Sequence, residues 1–479
     1  MEGCFVIVLE KSSTDRPSVA FSATLPGIFR IVMIRGIVVR IIVAIAVPIA
    51  FLSPFHGILW YLWYSHGRPN DFIWPQYAFN SGALLLAIAT LAGYVLFEMP
   101  YSPLRFRGLI VVTIFWLWIG LSTAAATDRV LALPKFLQYT NILIITYLVA
   151  AMADSASRIR AVLMVIAVAI GFLGSKCAFD FLVTGAQFRA QGVGGLMKEQ
   201  NEFALCLNMA IVLLIGLSNM QESFWRRWGL RAAAAGCAVS VVGTYSRSGL
   251  LGLGLATFLL TWYSKKRMLG FGAMALALVA LVAFGPQKAL DRYKTISTAF
   301  EAAFEKASTG KVTEDVDPSA LGRLQAWEAG TRMMKAHPIL GVGPLNFLPQ
   351  FQRYFPGYHA RVAHNAFVAL GAESGIPATL LFALFIALAI ADMWWTRRKM
   401  RNIPELAELA AQCLIIQMTL TVYVVPNFFI NRQNLDLMYH LIGLSVGLSA
   451  FAKLRIAKVT PQKENLQGGL LLIREPVSV

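Results

Sequence analysis

The sequence predicts an all-α fold: a polytopic bundle of about twelve transmembrane helices carrying one large helical loop on its outer side. Three observations lead there. The 479 residues are 57% hydrophobic and only 14% charged, with a mean hydropathy of +0.62, more apolar surface than a soluble domain can hide. Apolar runs approaching the roughly 20 residues that span a bilayer recur along the chain. Basic residues cluster in alternate connections, as they do in cytoplasmic loops.

Taken in order, the runs are 37–55, 77–97, 108–126, 135–152, 161–183, 201–219, 230–246, 248–264, 268–285, 376–395, 405–425 and 435–452. They divide the chain into an N-terminal tail (1–32), nine spans (33–285), an outer loop (286–363), three spans (364–455) and an inner tail (456–479). Residues 1–32 hold Glu10, Lys11, Asp15 and Arg16 around one short apolar run, a poor signal peptide. Met33, followed by "IRGIVVR", is an alternative start. With the N-terminus inside, the basic clusters Arg105/Arg107, Arg158/Arg160, Arg226/Arg227, Lys265–Arg267, Arg397–Arg401 and Lys453–Lys458 all fall on one side. Outer connections then carry isolated charges. The aromatic stretch "WYLWYSHG" after the first span, with His56 and His66, reads as an interfacial belt.

Charge and cysteine content exclude other classes. The net charge of +17 is what cytoplasmic loops of a membrane protein supply, so no nucleic-acid partner is implied. The 5 cysteines form no CxxC pair, so neither a disulfide framework nor a zinc site is expected. No GxSxG, Walker or dinucleotide-binding pattern stands in a strand-turn-helix context.

The loop 286–363 carries two helical patterns, "ALDRYKTISTAFEAAFEKA" and "ALGRLQAWEAGTRMMKA", then the turn-rich "HPILGVGPLNF". Leu321, Leu324 and Trp327 suggest a second helix lying on the membrane surface or on the bundle. Long loops in compact architectures are usually functional.

Three residues stand out. Arg247, in "GTYSRSGLLGLG", is a costly cation amid apolar sequence, a functional candidate or a snorkelling side chain. Arg323, in "SALGRLQAWEAG", is either a solvated helix face or, with Arg247, half of a clamp for a diphosphate, since guanidinium groups bind phosphate oxygens bidentately. His364, in "RVAHNAFVALGAESGIP", stands where the loop meets an apolar run; a cap, an interfacial anchor and a proton acceptor are all open to it. "ESGIP" should interrupt the helix that His364 begins. His337 and His359 read as loop residues and His440 as part of the last span. Asp315 and Asp317 superficially resemble a cation-binding pair, but their polar, flexible flanks make a solvated loop the better reading. Lys176 and Asp180 lie one helical turn apart and can pair.

In combination, "TYSRSGLLG", the loop "LGRLQAWEAGTRMMKAHPILGVGPLNF" and "VAHNAFVALGAESGIPATLL" resemble the O-antigen ligase and polymerase superfamily, over about residues 192–380. With "NEFAL" and "DRYKTI", the nearest resemblance is to the exosortase-associated O-glycosylation ligases. "SRSG" departs from that pattern, having serine where many relatives have glycine. The resemblance implies a bacterial inner-membrane enzyme with its site on the periplasmic side. It would transfer a glycan from an undecaprenyl-diphosphate carrier to an acceptor hydroxyl on a glycolipid, glycan or protein, with inversion and with neither cofactor nor metal. It implies that Arg247 and Arg323 hold the diphosphate and that His364 orients or deprotonates the acceptor. Asp436 would match an acidic residue near the last span. Ligase and polymerase are not separated at this level. The rival from another class is a lipid-linked glycan flippase or exporter, which should keep polar residues within its spans.

Overall fold

Lipid offers backbone groups no hydrogen-bond partners, which leaves a sequence this apolar the choice of helices or a closed barrel. The computed structural model describes residues 26–73, 81–98, 107–185, 190–192, 198–284 and 318–472, and among these no residue is in a β-strand. In chain order the α-helices are α1 (Pro26–Leu52), α2 (Pro54–Gly67), α3 (Gly82–Gly93), α4 (Ile110–Ala124), α5 (Arg129–Met152), α6 (Ala156–Val183), α7 (Gln200–Ser218), α8 (Phe224–Gly243), α9 (Arg247–Trp262), α10 (Arg267–Phe284), α11 (Pro318–Ala336), α12 (Phe347–Tyr354), α13 (Ala366–Met400), α14 (Ala407–Val424) and α15 (Asp436–Leu472). Among the described residues, eight helical segments are long and apolar enough to cross a membrane, those of α1, α4 to α7 and α13 to α15. The first loop pattern, 289–307, and the Asp315/Asp317 pair lie outside the described residues.

Helix α7 is the hub. Every side chain from Phe203 to Leu214 is buried, as a helix apolar all round requires. Gly174 of α6 lets Cys237 of α8 approach closely, and Ser240 donates to the Gly174 carbonyl at 2.7 Å. On the other flank Phe115, Tyr139, Phe385 and Tyr439 tie α4, α5, α13 and α15 into one aromatic core. Cys177, Cys206, Cys237 and Cys413 are free and buried. Lys176 pairs with Asp180 at 2.7 Å.

Among the described residues, the joints that carry basic clusters gather at one end. Arg160 pairs with Glu408 at 3.2 Å, joining the α5–α6 and α13–α14 corners, and Arg397 lies over the Tyr263 ring at the end of α9. The opposite end holds the starts of α7, α9, α13 and α15.

The structure corrects the reading of "WYLWYSHG". It is no interfacial belt but part of α2, in which His66 is fully buried and its Nε2 meets His440 Nδ1 at 3.2 Å. Arg158 sits over Phe55 at 4.7 Å, placing the start of α2 at the basic end. Ser65 donates to Asp436 at 2.9 Å, placing its end at the start of α15. Helix α1 runs antiparallel to α2, with Ala50 against Gly57 and Val39 and Val43 clustered with Tyr64 and Ile73. The extra helix reverses the first span, so α1 starts at the end opposite the basic clusters rather than among them.

The "ESGIP" interruption sits inside α13. Gly375 adopts φ 85°, ψ 168°, a region open essentially only to glycine, and Pro377 follows. Such a break frees carbonyls that need donors. Val342 N–H donates to Ala372 at 2.9 Å and Gly343 N–H to Glu373 at 2.8 Å. Trp118 donates to Ser374, and Ser122 to Glu373. In return Ile376 N–H donates to Pro338 at 2.9 Å. The turn "HPILGVGP" is therefore docked onto the broken helix. Helix α11 packs beside it through Ala326, Ala329 and Met333, with Gly330 against Val368 and Phe347. That stripe is offset from the Leu321/Leu324/Trp327 face expected from the sequence, because small residues allow closer approach than leucines.

Candidate functional site

His364 owes its position to the residues on either side of it. Its backbone is left-handed, φ 47°, a conformation uncommon outside glycine and asparagine. The Ala363 carbonyl accepts from the Trp327 indole of α11 at 2.8 Å. On the other side Asn365 N–H donates to Asn431 Oδ1 at 2.7 Å, while the Asn365 side chain caps α13 by accepting from Phe367 and Val368. Two separate elements thus clamp the histidine's neighbours and fix its orientation.

Arg323 stands one turn before Trp327 on α11, so the residue that anchors Ala363 also brings the guanidinium toward the imidazole. The side chain of His364 is partly buried, and its pKa is held below the ordinary histidine value, first by burial, then by the positive charge of Arg323, against an opposing pull from Glu199. The neutral imidazole, the form able to take a proton, is therefore favoured.

Arg247 is the first residue of α9. Tyr245 turns left-handed just before it, φ 53°, and packs on Phe181. Ser246 then caps the helix by accepting from Gly249 N–H at 3.0 Å and donates to Asn201 Oδ1 at 2.6 Å. Gly249 and Gly252 lie against Ala204 and Asn208 of α7, and Asn208 donates to the Gly249 carbonyl at 2.8 Å. "SRSGLLG" is thus a helix start fastened to α7, with Arg247 near the positive pole of α9.

The fourth contributor carries no local signature of its role. Arg432, in the connection before α15, pairs with Glu202 of α7 at 3.1 Å, both side chains largely buried. Its neighbour Asn431 is the residue that clamps Asn365. Glu199, Asn201 and Glu202 lie within one turn at the start of α7, so this short segment reaches Arg247 through Ser246, His364 through charge, and Arg432 through the ion pair. The start of α15 is held separately, by Ser65 on Asp436. His337 bonds Tyr354 at 2.8 Å and His359 is exposed. Neither shares this setting. Among the described residues no group of three or more His, Cys, Asp or Glu could hold a metal ion.

At one end of the bundle the arrangement offers a neutral imidazole, guanidinium groups and a partly buried ion pair. It is suited to binding an anionic group and taking up a proton beside it. Residues 232–383 match the family model described as O-antigen ligase, a stretch running from α8 past the break in α13 that includes Arg247, Arg323 and His364. The search of curated proteins found no match for the chain.

Proposed function

We propose, taking the O-antigen ligase match as the premise, that the chain transfers a glycan from an undecaprenyl-diphosphate-linked donor to an acceptor hydroxyl on the periplasmic side of the bacterial inner membrane. In this scheme about twelve helices cross the membrane, and the site lies at the end opposite the basic clusters, the outer end by the charge rule. The observation that carries the reading is the double clamp on His364, with Arg323 one turn from the clamping tryptophan.

Each residue has one task. Arg247 and Arg323 engage the diphosphate, whose negative charge grows as the bond to the anomeric carbon breaks. The acceptor hydroxyl loses its proton to His364 as its oxygen bonds the anomeric carbon from the opposite face, giving inversion. The electron pair of the breaking bond leaves with undecaprenyl diphosphate. Because the diphosphate is already a good leaving group, the scheme needs no cofactor.

The test is release of undecaprenyl diphosphate from a lipid-linked glycan by purified protein in vesicles, with an acceptor supplied. His364→Ala should abolish release while leaving membrane insertion and donor binding intact. Near-normal release by a well-folded His364→Ala protein would reduce the histidine to a structural role. Donor carried across the membrane without release would replace transfer with transport.

A further inference from the structure

At the end of the bundle opposite the site, the entry to α4, the α5–α6 connection, α13 and α15 line a half-open cavity of about 960 Å³, large for a small-molecule site. Its charged lining is Arg107, Asp154, Asp392 and Lys453, set around an apolar wall that includes Phe385 and Leu388. Leu388 is 49% exposed and Leu454, at the rim, 65%, so the wall continues onto the outward-facing surface of the bundle.

The four charges are not equivalent. Asp154 is already paired with Arg158 at 2.7 Å. Asp392 accepts from the hydroxyls of Ser449 at 3.1 Å and Thr396 at 3.5 Å, contacts that orient a carboxylate but bring it no positive charge. Arg107 and Lys453 add positive charge to the same cavity. An occupant that satisfies all of these carries an ammonium for Asp392, a phosphate for Arg107 and Lys453, and a long apolar tail. Basic pockets between helices ordinarily favour anionic lipids, and Asp392 turns that preference around.

We infer that this cavity binds a zwitterionic aminophospholipid of the adjacent leaflet, its primary ammonium on Asp392, its phosphate between Arg107 and Lys453, and its acyl chains along Phe385 and Leu388. A primary ammonium donates three hydrogen bonds and a quaternary one none. Ethanolamine lipids are therefore selected over choline lipids as well as over glycerol lipids. The binding is independent of the transfer reaction proposed for the other end.

The experiment is native mass spectrometry of the full-length protein titrated with phosphatidylethanolamine, phosphatidylcholine and phosphatidylglycerol of identical chains. The wild type should retain the ethanolamine lipid about tenfold better than either competitor, the worth of one charge-assisted hydrogen bond. Asp392→Asn keeps the shape and the hydroxyl contacts, and should bring the ethanolamine lipid down to the choline lipid. Arg107→Gln with Lys453→Gln should weaken all three. Phosphatidylglycerol retained as well as phosphatidylethanolamine by the wild type would overturn the proposal, whatever the variants do. So would an unchanged preference in an Asp392→Asn protein with the wild-type unfolding midpoint.

Discussion

Gly375→Ala should unfasten the loop that positions the site. The native backbone there, φ 85° and ψ 168°, is one an alanine adopts only at a cost of about 1–3 kcal/mol. The new methyl would also overlap the Ile339 carbonyl oxygen, so the "HPILGVGP" turn must move away. Moving it gives up the bonds from Val342 to Ala372, Gly343 to Glu373 and Ile376 to Pro338, each worth roughly 0.5–1.5 kcal/mol net. Some exchange of strain for lost bonds is open to the protein, which leaves a total on the order of 3 kcal/mol. Hydrogen exchange in purified protein reads this directly: amides of Val342 and Gly343 should exchange about a hundredfold faster, and glycan transfer should fall with them. Gly357→Ala is the control. Gly357 shares a positive φ of 84° but has nothing within 4 Å, so only backbone strain remains, about 1 kcal/mol, with the amides of the docked turn unaffected. Unchanged exchange at Val342 and Gly343 in Gly375→Ala would refute the claim that this glycine sets the docking.

In the proposed scheme the pH dependence of transfer has a defined sign: His364 must be neutral to take the proton, and burial and Arg323 lower its pKa, so activity should persist below the ordinary histidine range and fall only as pH drops through the lowered value. Arg323→Gln should move that acid limb to higher pH and Glu199→Gln to lower pH, and limbs that stay in place would remove His364 as the base. Arg247→Lys and Arg323→Lys keep charge but lose the planar fork, so each should lower transfer about tenfold or more; EDTA should leave the rate unchanged, and inhibition reversed by a divalent ion would defeat the scheme. Glu202→Gln leaves Arg432 without its carboxylate and should cost about 2–3 kcal/mol in unfolding measurements, below the 3–5 of a fully buried pair because Arg432 stays 20% exposed. Adding Arg432→Gln should recover part of that loss, and no recovery would mean the pair is incidental. Reporter fusions after Gly357 and Lys399 should report opposite compartments, and a shared compartment would move the site to the wrong side.

How much of this was legible depended on whether a residue's partner was close in sequence. The "ESGIP" break was readable because glycine and proline act locally, and Lys176 with Asp180 because a helical turn fixes their spacing. Helix α2 was not. Its 14 residues fall short of a span, and a hydropathy scan treats each histidine and tyrosine as a group exposed to lipid. Here His66 meets His440 and Ser65 meets Asp436, some 370 positions away in sequence, so the polar groups that lowered its score are satisfied inside the bundle.

The same reasoning separates what was visible in the site from what was not. Arg247 and His364 announce themselves because a cation or an imidazole at an apolar boundary is expensive and needs a reason. Asn431 and Arg432 announce nothing, since an asparagine and an arginine in a short polar connection are ordinary there, and Glu202, although it belongs to "NEFAL", does not show its partner in the sequence. Their importance comes from folding, which lays the connection before α15 across the starts of α7 and α13. Asn431 then holds the residue after His364, and Arg432 finds Glu202. A sequence read singly can nominate groups that carry chemistry, because their cost is intrinsic. The groups that hold them in place are paid for by a tertiary contact, and only the contact reveals them. For that reason the orientation of His364 depends as much on Trp327 and Asn431 as on the histidine itself, and replacing either clamp should disturb the proposed transfer without touching the proposed proton acceptor.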